Sequence, residues 1–342
     1  MKPTFRWALG VIVVVGMSIA ACSGGSQSNE DAPGAKTPDS TDLPTATSSP
    51  ATPRATETKP TPAVPPTSSS DADDDDGNFA NLGPVVLPAG ARLEKDVAYG
   101  SDPLQRFDVY IPEGAANAPV LLMVHGGGWR RGDKGAFGVV QNKVNHYLPK
   151  GYIVISTNYR LVPQVDPVVE AEDVAAALAF AQQHAAQWGA DPSRFVLMGH
   201  SAGAHLVTEV SAVPEIWQKA GAKPWLGTIP LDSGAYNVVQ IMEQPHLGLY
   251  DTAFGKDRAL WEAASPTLRL KGPTPPMLLV CSSRRAISCG QSNAFADRAN
   301  SLGGSAKVMP VDMSHGEINL NVGVSGSYTD GIDAFLKSLG LN

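Results

Sequence analysis

The pentapeptide Gly199-His200-Ser201-Ala202-Gly203 sets one serine between two glycines. An apolar run at 195–198 leads into it and a helix-prone stretch at 202–213 follows. A serine on a tight turn between strand and helix presents its hydroxyl at the surface, which is the G-x-S-x-G arrangement of a nucleophile. Upstream, the apolar run 120–124 ends in His125-Gly126-Gly127-Gly128-Trp129. A glycine-rich loop of that form aims backbone N–H groups at an oxygen that gains negative charge during reaction. Hydroxyl attack on a carbonyl needs both parts, so the pair points to acyl transfer. The expected donors are Ala202, directly after the serine, with Gly127 and Gly128; which of the two glycines faces inward stays open.

These motifs need strands to carry them. Apolar runs alternate with helical patterns from about residue 78 onward, which predicts a mostly parallel sheet covered on both faces. An antiparallel pair is expected at 92–99 and 105–111, around the turn Gly100-Ser101-Asp102-Pro103. Further strands are expected at 120–124, 152–157, 195–198, 228–231, 277–280 and 307–311. Helices are expected at 137–148, 166–189, 202–213, 293–302 and 328–339. In 166–189 the apolar positions Val169, Val174, Leu178 and Ala181 recur at helical spacing, and Gly189 suits a C-terminal cap. No G-x-G-x-x-G follows any strand, so a dinucleotide site has nothing to rest on.

With these segments the domain resembles the α/β-hydrolase fold, in the esterase/lipase branch that carries an HGGGW loop. The resemblance rests on the two motifs above, on Arg130-Arg131-Gly132-Asp133-Lys134, on Asn158-Tyr159-Arg160-Leu161, on Glu172-Asp173-Val174 and on 189–194. It implies a central, mostly parallel sheet with helices on both faces, Ser201 as nucleophile, and a histidine after the last strand as its base. His315, in Met313-Ser314-His315-Gly316, has that place. His200 should project away from Ser201, His205 should pack within the elbow helix, and His125 should hold the loop by hydrogen bonding. His146 and His184 fall in covering helices, and His246 comes too early in the chain.

The acid departs from the family pattern. Most relatives carry an aspartate in the loop after the seventh strand. Here that loop reads Cys281-Ser282-Ser283-Arg284-Arg285-Ala286-Ile287-Ser288-Cys289, without a carboxylate. Asp232 closes the preceding strand, a position that pancreatic-type lipases use for their acid. A charge ending an apolar strand at the carboxyl edge of a sheet is unusual unless it is used there. Asp232 is therefore the expected third member, with a helix cap as its plainer role and with Asp312 and Glu317 as alternatives. Trp129 is expected to wall the acyl side of the pocket. Residues 236–270 are long for a crossover and rich in large side chains, and they read as a small cap.

The first 77 residues differ in kind. Lys2 and Arg6 precede an apolar stretch at 7–21 that is short for a membrane span. It ends Ile19-Ala20-Ala21-Cys22, which resembles the lipobox of bacterial lipoproteins. That likeness implies a signal peptide at 1–21, a diacylglycerol on Cys22, and a cell-envelope protein exported from the cytoplasm and held to the membrane. Residues 22–77, rich in Ser, Thr, Pro and Asp, lack the apolar surface to offset ordering entropy and read as a disordered tether. The catalytic domain is then 78–342. Five basic residues face ten acidic ones in the first 77, and 21 face 23 in the rest. With no basic stripe, nucleic-acid binding has no electrostatic support. Once Cys22 is lipidated, Cys281 and Cys289 remain as a pair, and an oxidising compartment makes a disulfide the expectation. No metal or organic cofactor is implied. The expected substrate is a short acyl or aryl ester, or an acetyl or feruloyl ester on polysaccharide. The rival reading is a non-catalytic surface-binding protein on a hydrolase scaffold, and its argument is the missing carboxylate.

Overall fold

Eight strands form one sheet in the order β1-β2-β4-β3-β5-β6-β7-β8, in a computed structural model that describes residues 83–341. The expected leader, Cys22 and tether lie outside the described residues. β1 (Arg92–Ala98) and β2 (Arg106–Ile111) run antiparallel to each other, and β2 runs antiparallel to β4 (Ile153–Thr157). From β4 through β3 (Ala118–Val124), β5 (Ala190–His200), β6 (Gly227–Leu231), β7 (Met277–Ser282) and β8 (Ala306–Val311), every pairing is parallel.

Parallel strands are covered on both faces, so they read as continuous apolar runs. Every residue of β3, β4, β6 and β7 is buried, as that predicts. Alternate residues divide between two cores: Val120, Leu122, Val124 and Leu197 in one, Leu121, Met123, Val196 and Met198 in the other. The second core includes residues of α1 (Phe137–Tyr147). The first includes residues of α2 (Pro167–His184) and α3 (Ala202–Ala212), with α4 (Pro214–Lys219) beside them.

The sequence spacing locates α2 well. The Asp166 carboxylate accepts from the amides of Val168 and Val169, both at 3.0 Å, and Pro167 occupies the first turn, where its missing N–H costs nothing. The α-helix ends at His184, earlier than expected, and a 3₁₀ turn over 185–188 runs on to Gly189 at φ 78°. α5 (Val238–Met242), α6 (Gly248–Phe254), α7 (Arg258–Ala263) and α8 (Pro266–Arg269) fill the segment expected to form a cap. α9 (Ala286–Ser301) starts well before the expected residue 293, although it includes Gly290. α10 (His315–Leu320) was not anticipated, and α11 (Ser327–Ser338) closes the chain.

Candidate active site

Ser201 stands between β5 and α3 with φ 55° and ψ −118°, a conformation that a residue with a side chain adopts only at a cost. Its neighbours hold it there. The Ser201 amide donates to the Leu231 carbonyl at 3.0 Å, and its own carbonyl accepts from the His205 amide at 3.1 Å. The flanking glycines serve close approach. A Cβ on Gly199 would lie 2.3 Å from the Gly203 carbonyl oxygen, and one on Gly203 would lie 2.3 Å from that of Val124. The strain of the turn falls on the serine itself.

The loop after β3 is bent by three consecutive residues of positive φ: Gly127 at 119°, Gly128 at 60° and Trp129 at 61°. The Gly127 carbonyl accepts from the amides of Arg130 and Arg131 at 3.3 and 3.2 Å, and the Trp129 carbonyl from Val162 at 3.0 Å. His125 stacks on Tyr159 at 4.5 Å, and the Tyr159 hydroxyl donates to the His125 carbonyl at 2.9 Å. Asn158 grips the far end, donating to Asp133 at 3.0 Å and accepting from the Lys134 amide at 2.6 Å. Arg160 makes a two-pronged pair with buried Asp173, at 2.8 and 2.6 Å. Asn158 and Tyr159 of the neighbouring motif therefore brace the loop.

His315 opens α10, where Ser314 and Glu317 form a reciprocal capping box. Its Nδ1 lies 2.6 Å from Oδ2 of Asp232, which is fully buried. From below, Nε2 of His200 reaches the His315 carbonyl at 2.9 Å, with the two rings 4.5 Å apart. His200 thus bonds the backbone of the other histidine. The remaining side-chain contacts of Asp232 come from the end of β7 and the start of α9. Oδ1 accepts from the Ser282 amide at 2.7 Å and from the Ser288 hydroxyl at 2.5 Å, while Oδ2 accepts from Nη1 of Arg285 at 2.5 Å. Burial pushes the carboxyl of Asp232 up. The hydrogen bond and charge of His315, the charge of Arg285 and the Ser282 amide outweigh it and hold the group well below the usual carboxylate range. Asp312 and Glu317 turn elsewhere, both to Arg284, at 2.8 and 3.3 Å.

Ser201, His315, Gly127, Gly128 and Trp129 line one cavity of about 60 Å³, together with Leu249 and Tyr250 of α6. The 236–270 segment therefore does wall this hollow. Trp129 is nearly buried, 4.8 Å from Phe254 and 5.9 Å from Tyr250 between ring centres. Its indole Nε1 donates to Nδ1 of His205 at 3.1 Å, and Nε2 of His205 reaches the Ala264 carbonyl at 2.8 Å. Burial pushes His205 down to about 4, so it is neutral at pH 7 and able to accept from Trp129. Sequence reasoning gave His205 a packing role and missed this bridge, because its far partner is 59 residues away. A larger hollow of about 590 Å³, between Ala212 and Pro273, contains none of the candidate residues. Ala202 is the first residue of α3, and Cys281 and Cys289 form a disulfide with Cα atoms 5.1 Å apart. Arg285 and Ser288 were not anticipated at the site.

The strand order, the strained serine after β5 and the loop after β3 define an α/β-hydrolase fold. The BD-FAE family model matches residues 107–215, the part with both motifs. The chain is 29% identical over 241 residues to the isoprenylcysteine alpha-carbonyl methylesterase of Arabidopsis thaliana, covering 64% of this chain and 55% of that one. It is 33% identical over 145 residues to a carboxylesterase of Mycobacterium tuberculosis, covering 40% and 44%. The chain spans about half the length of the curated relatives it matches. Among solved structures, esterase B from Lactobacillus rhamnosis superposes with a TM-score of 0.61 at 21% identity, over 78% of this chain and 89% of that one. A truncated carbohydrate esterase from gut microbiota gives 0.63 at 16% identity, over 76% and 100%.

Proposed function

We propose that this chain hydrolyses carboxylic esters through an acyl-enzyme on Ser201. The observation that carries the reading is a single cavity holding Ser201 and His315, with Nδ1 of His315 2.6 Å from buried Asp232. In this scheme Ser201 Oγ attacks the ester carbonyl and His315 Nε2 takes its proton. The Ala202 amide and those of Gly127 or Gly128 hold the tetrahedral oxyanion, and His315 then gives its proton to the departing alkoxide. Water repeats the sequence on the acyl-enzyme. Asp232 keeps the histidine in the tautomer with the proton on Nδ1 and stabilises the imidazolium that forms.

The relatives named as methylesterase and carboxylesterase support this reaction class. A cavity of about 60 Å³ favours a short acyl group, on an alkyl, aryl or polysaccharide alcohol, over a long chain. The non-catalytic reading rested on the carboxylate absent after β7, and the 2.6 Å contact of Asp232 with His315 supports Asp232 as its substitute. From the lipobox resemblance of Ile19-Ala20-Ala21-Cys22 we also propose that residues 1–21 export the chain and that Cys22 carries the lipid that holds it at the envelope membrane, with 22–77 as tether.

A fluorophosphonate probe tests the nucleophile. Ser201→Ala should lose labelling and at least about a thousandfold in kcat on p-nitrophenyl acetate, and Asp232→Asn should lower kcat by roughly 10³–10⁴. Labelling of Ser201→Ala at the wild-type level would rule this serine out.

A further inference from the structure

The loop that lacks the usual carboxylate is built around the one next door. Ser282, Arg285 and Ser288 all donate to Asp232, and all three lie between Cys281 and Cys289. The disulfide joins the end of β7 to the first turn of α9, so it closes the segment that carries these donors. Counting His315, each carboxylate oxygen receives a pair of donors, which matches the capacity of an ionised carboxyl. The adjacent arginines part company. Arg284 is half exposed and faces Asp312 and Glu317, whereas Arg285 turns inward with its side chain only 10% exposed. Nη1 of Arg285 lies 2.5 Å from Asp232 Oδ2 and 2.8 Å from His315 Nδ1, so guanidinium and imidazole share one oxygen.

We propose that the disulfide-closed loop from Cys281 to Cys289 is a positioning clamp for Asp232, with Arg285 as its principal member. The proposal rests on Asp232 being the acid that orients His315. A carboxylate gripped on one oxygen alone rotates about its Cβ–Cγ bond. Ser282 and Ser288 hold Oδ1, and Arg285 holds Oδ2 beside Nδ1 of His315. The disulfide limits how far Ser288 and Arg285 can move from the end of β7. Ser282 and Ser288 lie off the cavity, whereas Arg285 lines it beside His315, so the split between kcat and KM is what separates positioning of His315 from contact with substrate.

The test is a double-mutant cycle on the intact chain, with kcat and KM measured separately on p-nitrophenyl acetate. Arg285→Ala should lower kcat by about 10–100-fold with KM within about twofold of wild type, and added guanidinium should restore part of the loss. In the Asp232→Asn background the same substitution should cost less than about threefold, because the group it positions is already gone. Wild-type kcat in Arg285→Ala overturns the proposal, and so does a loss that guanidinium leaves unrepaired and that adds in full to Asp232→Asn. The paired change Cys281→Ala with Cys289→Ala is the second variant. It should lower kcat by about tenfold, and wild-type kcat there removes the disulfide from the clamp. Asp232→Asn alone separates the two readings: wild-type turnover in that variant overturns the assignment of the acid and the clamp with it.

Discussion

Gly203→Ala adds one methyl group where the elbow helix lies against the end of the neighbouring strand. The new Cβ would lie 2.3 Å from the Val124 carbonyl oxygen and 2.5 Å from that of His125. Ordinary van der Waals contact begins at 3.4 Å, so the backbones must separate by about 1 Å. Neither obstacle is the far end of a flexible side chain. Val124 ends β3 and leads into the glycine loop, while Gly203 is in the first turn of α3, beside Ala202. The shift therefore drives apart the two proposed sources of oxyanion N–H groups. Useful donors lie about 2.7–3.1 Å from the oxyanion, and a displacement of 1 Å can cost on the order of a hundredfold in rate. Overpacking should also destabilise the domain by about 1–3 kcal/mol. Steady-state kinetics on p-nitrophenyl acetate and a thermal melt read the two effects together. A variant within about threefold of wild-type kcat/KM with an unchanged Tm would refute the close packing argued here.

Two other changes probe parts of the site's surroundings. His205→Leu removes the acceptor of the Trp129 indole and the donor to the Ala264 carbonyl, and leaving such buried groups unpaired should cost about 1–3 kcal/mol each. A lower Tm with a raised KM is the expected result, and wild-type values of both would show that the bridge positions nothing. Lys143 reaches the backbone and side-chain oxygens of Asn319 in α10 at 2.8 and 3.0 Å, and burial pushes its ammonium down to about 7. Unfolded lysine keeps its proton to about pH 10.4, so between these values the unfolded state binds more protons and folding stability rises with pH. The gain approaches about 1.4 kcal/mol per pH unit in that window. Urea titrations at several pH values should show this rise in wild type and its loss in Lys143→Met; equal slopes in the two proteins would refute it.

The sheet and its motifs were legible because they rest on local rules. Buried parallel strands are continuous apolar runs, and Asp166 and Gly189 bracket α2 and its 3₁₀ extension through capping chemistry that acts within a few residues. α9 was read too short because Gly290 and the serines of its first turns have low helix propensity. Those turns are carried instead by tertiary contacts, among them the disulfide and Ser288 on Asp232. Asp232 was reached by subtraction, from an apolar strand ending in a charge. Arg285 was beyond reach. Two adjacent arginines look alike in sequence, and which one turns inward depends on a carboxylate 53 residues away. His200 and His205 likewise owe their roles to carbonyls 115 and 59 residues distant.

The pairing of β6 with β7 has a consequence for how such a site can diverge. Neighbouring strands lie about 4.8 Å apart, and the Asp232 side chain spans that gap to bond the Ser282 amide at the end of β7. On the proposed reading of Asp232 as the acid, the two strand ends are alternative mounts for one carboxylate serving one histidine. A chain bearing acids on both mounts could lose either and keep its reaction. After a loss, the vacated mount is free to take a residue that complements the acid that remains. Here it holds a cation, Arg285, paired with Asp232. A carboxylate placed at residue 285 would face Asp232 as a like charge and would be disfavoured. Lineages of this fold can therefore part at the acid while nucleophile, base and glycine loop stay where they are.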